Sequence, residues 1–263
     1  MKVRVFLHTM SFQDEFISFL GSREVQQVGD SCGILLQDKP LAFKLHEVDH
    51  YSREVSKCPE SIHTVHLWED LWRHKRQVVE SRVLSLLGKT KRIYARSTSI
   101  IKLNKPEILA FWEQNHLSIP VAGKFNYGLA HASELVAAAS FSASCPVHRN
   151  EMIYRSHELI RFCNKNGVTV VGGLSKLIKH FIKENKPDDI MSYADLDWSI
   201  GKSYTRLGFK KIGELPPQTF YVDPGTLERF YKINVPEAKL HLLAFENQGS
   251  TKYLLDIKQN ADV

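Results

Sequence analysis

The chain has 263 residues, 43% of them hydrophobic and 24% charged, which fits one large or two modest globular domains. No run of about 18 apolar residues occurs, so no membrane span is expected. The N-terminal "MKVRVFLHTMSFQDEF" has an apolar run broken by His8 and followed by acids, which does not read as a signal peptide. A formal charge of +6 permits an acidic or nucleic-acid partner without requiring one. Cys32, Cys58, Cys145 and Cys163 are scattered with no CxxC, which suits reduced thiols in a cytoplasmic setting.

In chain order, "VRVFLH", "CGILLQ" and "LAFKLHEVDH" read as strands, with a turn in "VGDSCG" and a loop in "SKCPES". "EDLWRHKRQVVESRVLSLLGK" reads as one helix from Glu69 to Lys89, with Val79, Val83, Leu86 and Leu87 on one face and Gly88 at the C-terminal cap. A helix over Pro106–Gln114 has Asn104 as its cap. "NYGLAH" and "ELVAAASFSAS" form a predicted hairpin, and "SHELIRFCN" a further strand. "VTVV" is a strand that runs through Gly172-Gly173 into a helix. "DDIMSYADL" is a strand, and a short helix lies in "SIGKSYTRLGF". "FKKIGE", "QTFYVD" and "TKYLLDIK" complete a β-rich end.

The joint "VTVVGGLSKLIKHFIKEN" carries the first chemical question. Leu174, Leu177, Ile178, Phe181 and Ile182 make a core-facing stripe, and the two glycines relieve the turn into the helix. The helix start then offers free N–H groups and a partial positive charge, the ingredients of an anion site, with Ser175 and Lys176 beside them. A tight turn inside a core explains the same residues. Walker A and GxGxxG spacings are both absent.

With "YTRLGF" some thirty residues on, the region from about 125 to 257 resembles the GNAT superfamily of N-acetyltransferases. There a strand, a glycine-rich turn and a helix hold the pyrophosphate of acyl-CoA, and a later short helix ends in Tyr-x-x-x-Gly-Phe. The resemblance implies that Val171, Gly172, Gly173, Leu174, Ser175 and Lys176 form the pyrophosphate turn, and that Tyr204 protonates the leaving thiolate. The family's turn opens on Gln or Arg where this chain has Val170. The stretch from Glu158 to Phe209 also looks like a segment that follows very-short-patch-repair or homing endonucleases in phage and bacterial proteins. It is distantly similar to the Mom group of phage DNA-modification proteins, which modify adenine.

Other residues fit that chemistry or a plainer one. Glu158 lies on the strand where such enzymes place a base, or forms a salt bridge with Arg155 or Arg161. Asp195 and Asp197 share a side if their strand continues, as candidate carboxylates for an amine; on the plainer reading Asp197 or Ser199 caps the next helix. "NHL" at 115–117 and His131 are candidate substrate contacts; on the plainer reading Asn115 and His116 end a helix. Cys58, His63, His66 and His74 lack the paired spacing of a zinc site, so no metal is expected.

The expected architecture is α/β (α+β): a GNAT-like mixed, mostly antiparallel sheet flanked by helices, with a small N-terminal α+β region. The expected segments are 1–60, a basic helical connector 61–104 and a GNAT-like domain 105–263. The first functional reading is an acyl-CoA-dependent N-acyltransferase using acetyl-CoA or another acyl-CoA on a nucleobase or nucleic acid. A second is a non-catalytic nucleic-acid binder gripping phosphates with Arg73, Lys75, Arg76, Lys89, Lys91 and Arg92. A third is an endonuclease remnant around Glu69, Asp70 and His74. DNA or a nucleotide is the candidate partner.

Overall fold

The computed structural model describes residues 10–21, 25–27, 33–36, 39–48, 61–149, 151–231 and 241–258. The strand expected over 3–8, and Cys32 and Cys58, lie outside them. The chain opens with α1 (Phe12–Leu20), β1 (Val25–Gln27), β2 (Ile34–Leu36), β3 (Leu41–His46), β4 (His63–Trp68) and α2 (Glu69–His74). Next come α3 (Arg76–Leu87), β5 (Lys91–Tyr94), β6 (Ser99–Lys102), α4 (Lys105–Asn115), β7 (Phe125–His131), β8 (Glu134–Phe141) and β9 (Cys145–Arg149). Then follow β10 (Met152–Asn164), β11 (Val168–Val171), α5 (Gly173–Asn185), β12 (Asp189–Asp195), α6 (Lys202–Arg206) and β13 (Lys210–Leu215). The end is β14 (Thr219–Val222), β15 (Arg229–Tyr231), β16 (Leu243–Glu246) and β17 (Ser250–Asp256).

The predicted helix over 69–89 is two helices. Lys75 interrupts it with φ −126° and ψ 33°, while Gly88 caps the second in the left-handed region as expected. Leu86 is exposed and Val78 takes its place in the buried set. The segment 61–104, read as a helical connector, also holds three strands. The α4 cap is a full capping box: Asn104 Oδ1 accepts from Glu107 N at 3.0 Å, and Glu107 Oε2 from Asn104 N at 2.7 Å.

The chain divides into two compact units, and they do not follow the three consecutive segments of the sequence reading. One unit is Met1–His74, Leu196–Ile200 and Pro217–Gln248; the other is Lys75–Asp195, Gly201–Pro216 and Gly249–Val263. We call the second the sheet unit. Its eight-stranded sheet runs β13-β17-β12-β10-β8-β7-β6, with β9 on β10. Every pairing in it is antiparallel except β10 with β12. It is thus a mixed, mostly antiparallel sheet flanked by helices. Leu177, Ile178 and Phe181 of α5 bury against one face with Leu129, Phe141, Leu159 and Ile190. Phe181 stacks on Phe141 at 4.0 Å. On the other face α4 seats Ile108, Phe111 and Trp112 against Ala138 and Cys163. The short β11 pairs in parallel with β5, Val168 to Lys91 through Val171 to Tyr94.

The first unit has a four-stranded sheet, β1-β2-β3-β4, and a three-stranded one, β15-β14-β16. Phe16 of α1 meets Trp72 and Phe43 edge-on, at 5.4 and 5.1 Å. Trp68, Phe220, Val222 and Phe245 form a second small core. Asp70, a nuclease candidate from the sequence, is buried there. It holds Arg229 through two hydrogen bonds, Nε to Oδ2 at 2.6 Å and Nη2 to Oδ1 at 2.7 Å. His74 bonds the Thr226 carbonyl and His66 bonds His46. No cluster of His, Cys, Asp or Glu among the described residues could hold a metal ion. No helix among them is long and apolar enough to cross a membrane.

Candidate active site

The parallel ladder of β10 with β12 covers only Ser156–Glu158 against Asp189–Met191. β10 continues to Asn164 and β12 to Asp195, so the two strands run on past the end of their ladder. A side chain spans them there instead: Ser192 Oγ lies 2.9 Å from the Leu159 carbonyl oxygen. The end of the ladder coincides with a bulge in the pairing of β10 with β8, between Leu159 and Arg161. Bulges re-aim side chains, and they are common beside active sites.

The two candidate proton-transfer residues straddle this point. Leu159 pairs with Phe141 and belongs to the core under α5, so Glu158 points to the opposite face. Across the bulge, Arg161 pairs with Ser140 while Phe162 faces the α5 core, so Arg161 shares the Glu158 face. Tyr204 packs against the α5-side core, and its phenol is 2.9 Å from Ser192 Oγ. A hydroxyl has one proton and a carbonyl oxygen none. Ser192 Oγ is thus within reach of both the Leu159 carbonyl and the Tyr204 phenol, and its one proton goes to one of them at a time.

Electrostatics separates their roles. Burial raises the Glu158 carboxyl above its usual range, against the pull of Lys252 and Arg161. That moves it toward the pH at which a general base works best. Burial also raises the Tyr204 phenol; Ser192 opposes this, and Tyr253 and Glu158 add to it. Tyr204 therefore keeps its proton at neutral pH. Cys163, on the same strand, is pushed up to about 12 by burial and is no nucleophile. His116 caps the end of α4 and is lowered to about 3 by burial and by Arg82, Arg161 and Lys75, so it is neutral.

The structure separates the two aspartates. Asp195 ends β12 in the sheet unit and interacts with Arg82. Asp197 lies beyond the strand and belongs to the first unit. It is buried there, accepting from Trp68 Nε1 and from Gln248 N, both at 2.8 Å. It is a structural node and does not cap the next helix, since Gly201 holds the N-cap of α6. Gly201 has φ +73°, and a Cβ there would stand 2.0 Å from Tyr253 Oη. Gly201→Ala should cost on the order of 2–3 kcal/mol and disturb the helix that carries Tyr204, read as a lower melting temperature with a lower kcat.

At the start of α5, Gly172 is left-handed at φ 78° and no side chain caps the helix. No side chain thus occupies the first-turn N–H groups, as an anion site needs. Val170 is buried in the core and contributes no polar group. Lys176, expected to meet a phosphate, is committed elsewhere: its Nζ donates to the Ala95 carbonyl at 2.8 Å and to Thr98. Any pyrophosphate here would be held by backbone, with Ser175 at its side. Among the expected phosphate grips, Arg73 pairs with Glu15 and Glu69, Lys75 with Glu113, and Arg76 with Glu80. These three are occupied by carboxylates. Lys89, Lys91 and Arg92 are exposed around β5. Lys252 and Ser192 had no signal in the sequence, because only the strand pairing brings Lys252 near Glu158 and Ser192 to Tyr204.

No family model matches the chain, and no curated protein matches it. Among solved structures it is similar to a Bacillus subtilis acetyltransferase in complex with CoA, at 14% identity over 61% of this chain and 99% of that one, with a TM-score of 0.40. A GNAT family acetyltransferase from Elizabethkingia anophelis with acetyl-CoA bound gives 13%, 61%, 99% and 0.39. A spermidine/spermine N-acetyltransferase from Vibrio cholerae gives 12%, 64%, 97% and 0.42. These likenesses are remote, and the reading of the site rests on its own geometry.

Proposed function

We propose that the sheet unit is an acyl-CoA-dependent N-acyltransferase whose acceptor is an amine on a nucleobase or nucleic acid. The observation that carries the transfer is the placement of Glu158 and Tyr204 on opposite faces of the sheet where the β10–β12 ladder ends. An acyl-CoA supplies the acyl group already activated as a thioester. Glu158 takes the proton of the incoming amine as the N–C bond forms. Tyr204 gives its proton to the sulfur as the C–S bond breaks, and Ser192 holds the phenol in place. The backbone N–H groups at the start of α5 take the pyrophosphate. The likeness to acetyltransferases solved with CoA and acetyl-CoA agrees with this cofactor.

The direct test is calorimetric titration with acetyl-CoA. Gly172→Asp sharpens it. The new Cβ would sit 3.6 Å from the Ala95 methyl, in open enough space, and aspartate tolerates the left-handed region. Its charge favours the helix by roughly 0.3–1 kcal/mol but repels an anion at the same place. The variant should melt within a few degrees of the parent and bind acetyl-CoA about tenfold more weakly. Unchanged affinity would remove the pyrophosphate turn. A parent that binds no acyl-CoA leaves the non-catalytic nucleic-acid binder.

A further inference from the structure

The formal charge hides a segregation. The sheet unit holds 24 Lys and Arg against 13 Asp and Glu, +11, while the first unit holds 11 against 16, −5. Within the sheet unit the cations cluster in sequence. Between Glu80 and Glu107 there are seven Lys and Arg and no Asp or Glu. The structure lays that stretch along two sheet edges: among the described residues β5 pairs only with β11, and β6 ends the eight-stranded sheet.

The exposed chemistry on this edge is specific. Lys89, Lys91, Arg92, Tyr94 and Arg96 are all exposed. Ile93 is buried in the core and anchors the strand, so alternation turns Arg92 and Tyr94 outward together. Tyr94 is 51% exposed, a large ring to leave in water. The Arg96 guanidinium lies 5.1 Å from its centre. Further along, Lys102 and Lys124 line one hollow with Glu184. The β5 end carrying Tyr94 pairs with Val171, the residue before Gly172. The track therefore leads to the turn that opens α5.

We propose that the β5–β6 edge binds single-stranded nucleic acid, with Lys89, Lys91 and Arg92 on phosphates and Tyr94, braced by Arg96, stacking a base. A stretch of the chain with seven cations and no acid suits a polyanion, with Glu134 of β8 an acid within electrostatic reach of Lys91. An exposed aromatic ring among them suits unstacked bases, which every sequence offers. A duplex keeps its bases inside the stack and would leave Tyr94 without a partner. It would also hide the exocyclic amine that the proposed transfer needs. The proposal depends on the acyltransferase reading only for what happens to the strand once bound; strand binding and acyl-CoA binding are measured separately.

The test is fluorescence anisotropy on the full chain with a labelled mixed-sequence 20-nucleotide single strand and a hairpin duplex, between about 50 and 300 mM KCl. The single strand should bind more tightly, with log K falling against log salt at a slope near −2, about 0.7 for each of the three phosphate contacts. Lys91→Glu with Arg92→Glu should weaken it more than tenfold and flatten the slope by roughly 1.4. Tyr94→Ala should weaken it about tenfold with the slope unchanged. Melting curves and acetyl-CoA titrations show that these variants remain folded. Tighter duplex binding, a flat salt dependence, or a Tyr94→Ala variant that binds like the parent would overturn the proposal. So would stoichiometric displacement of the strand by acetyl-CoA, which would assign Tyr94 to the cofactor's adenine.

Discussion

Tyr204→Phe should bind acetyl-CoA within about twofold of the parent and turn over some 10²- to 10³-fold more slowly, because it removes one proton and little else. The phenol is packed beside Phe209 and Tyr253, at 5.3 Å from each ring, so phenylalanine keeps the packing. The loss falls on kcat, since the phenol's proton is needed when the thiolate leaves. Glu158→Gln should lower kcat/KM by a similar factor. Its pH profile separates it from a structural lesion. The parent should lose activity as pH falls through the raised pKa of Glu158, since a base works only when deprotonated. That acid limb should therefore lie above the ordinary glutamate range and vanish in the glutamine variant. A Glu158→Gln enzyme with parental kcat/KM and an intact acid limb would place the base elsewhere.

Asp70→Ala should destabilise the first unit by about 3–5 kcal/mol, the cost of stranding a buried partner charge. Arg229 is held by both carboxylate oxygens and lies 3.8 Å over the Phe220 ring. Without Asp70 its charge stays among aromatic rings. Trp68, Trp72 and Trp198 belong to this unit and Trp112 to the other, so tryptophan fluorescence in a urea titration reports mainly on it. Asp70→Leu with Arg229→Met should recover most of the loss, since apolar replacements of a buried pair cost little. A nuclease would instead lose magnesium-dependent cleavage in Asp70→Ala with its stability intact.

Elements with a strong local pattern were readable from the sequence. The α5 stripe and the Asn104 cap lie where their residues place them, because burial on one face and a satisfied helix end are local demands. The helix α1 was equally local, with Ser11 capping Asp14 N and Phe12, Phe16 and Leu20 on one face, yet the apolar "VRVFLH" before it drew the reading toward strands. β5 was not legible: exposed Lys91, Arg92 and Tyr94 dilute its alternation, and its partner β11 comes from much later in the chain. The site was half legible. Glu158 and Tyr204 follow from the family resemblance, but their faces do not. Plain alternation puts Arg161 on the Leu159 side, and only the bulge moves it beside Glu158. Asp195 and Asp197 look paired by spacing because a strand was extended two residues too far.

The interleaving of the two units constrains how the polypeptide is made. Each unit is assembled from three stretches, and the chain passes from one to the other at 74/75, 195/196, 200/201, 216/217 and 248/249. No single truncation yields one unit whole without stranding part of the other. On the ribosome, Trp68 and Asp70 emerge long before Phe220 and Arg229, their partners in core and charge. The last strand, β17, must enter between β12 and β13 inside the sheet. The first unit therefore stays open until the stretch to Gln248 is delivered, and the sheet unit until β17 follows it. Slow, late-closing folding follows from such a threading order, because non-local pairings must wait for their partners.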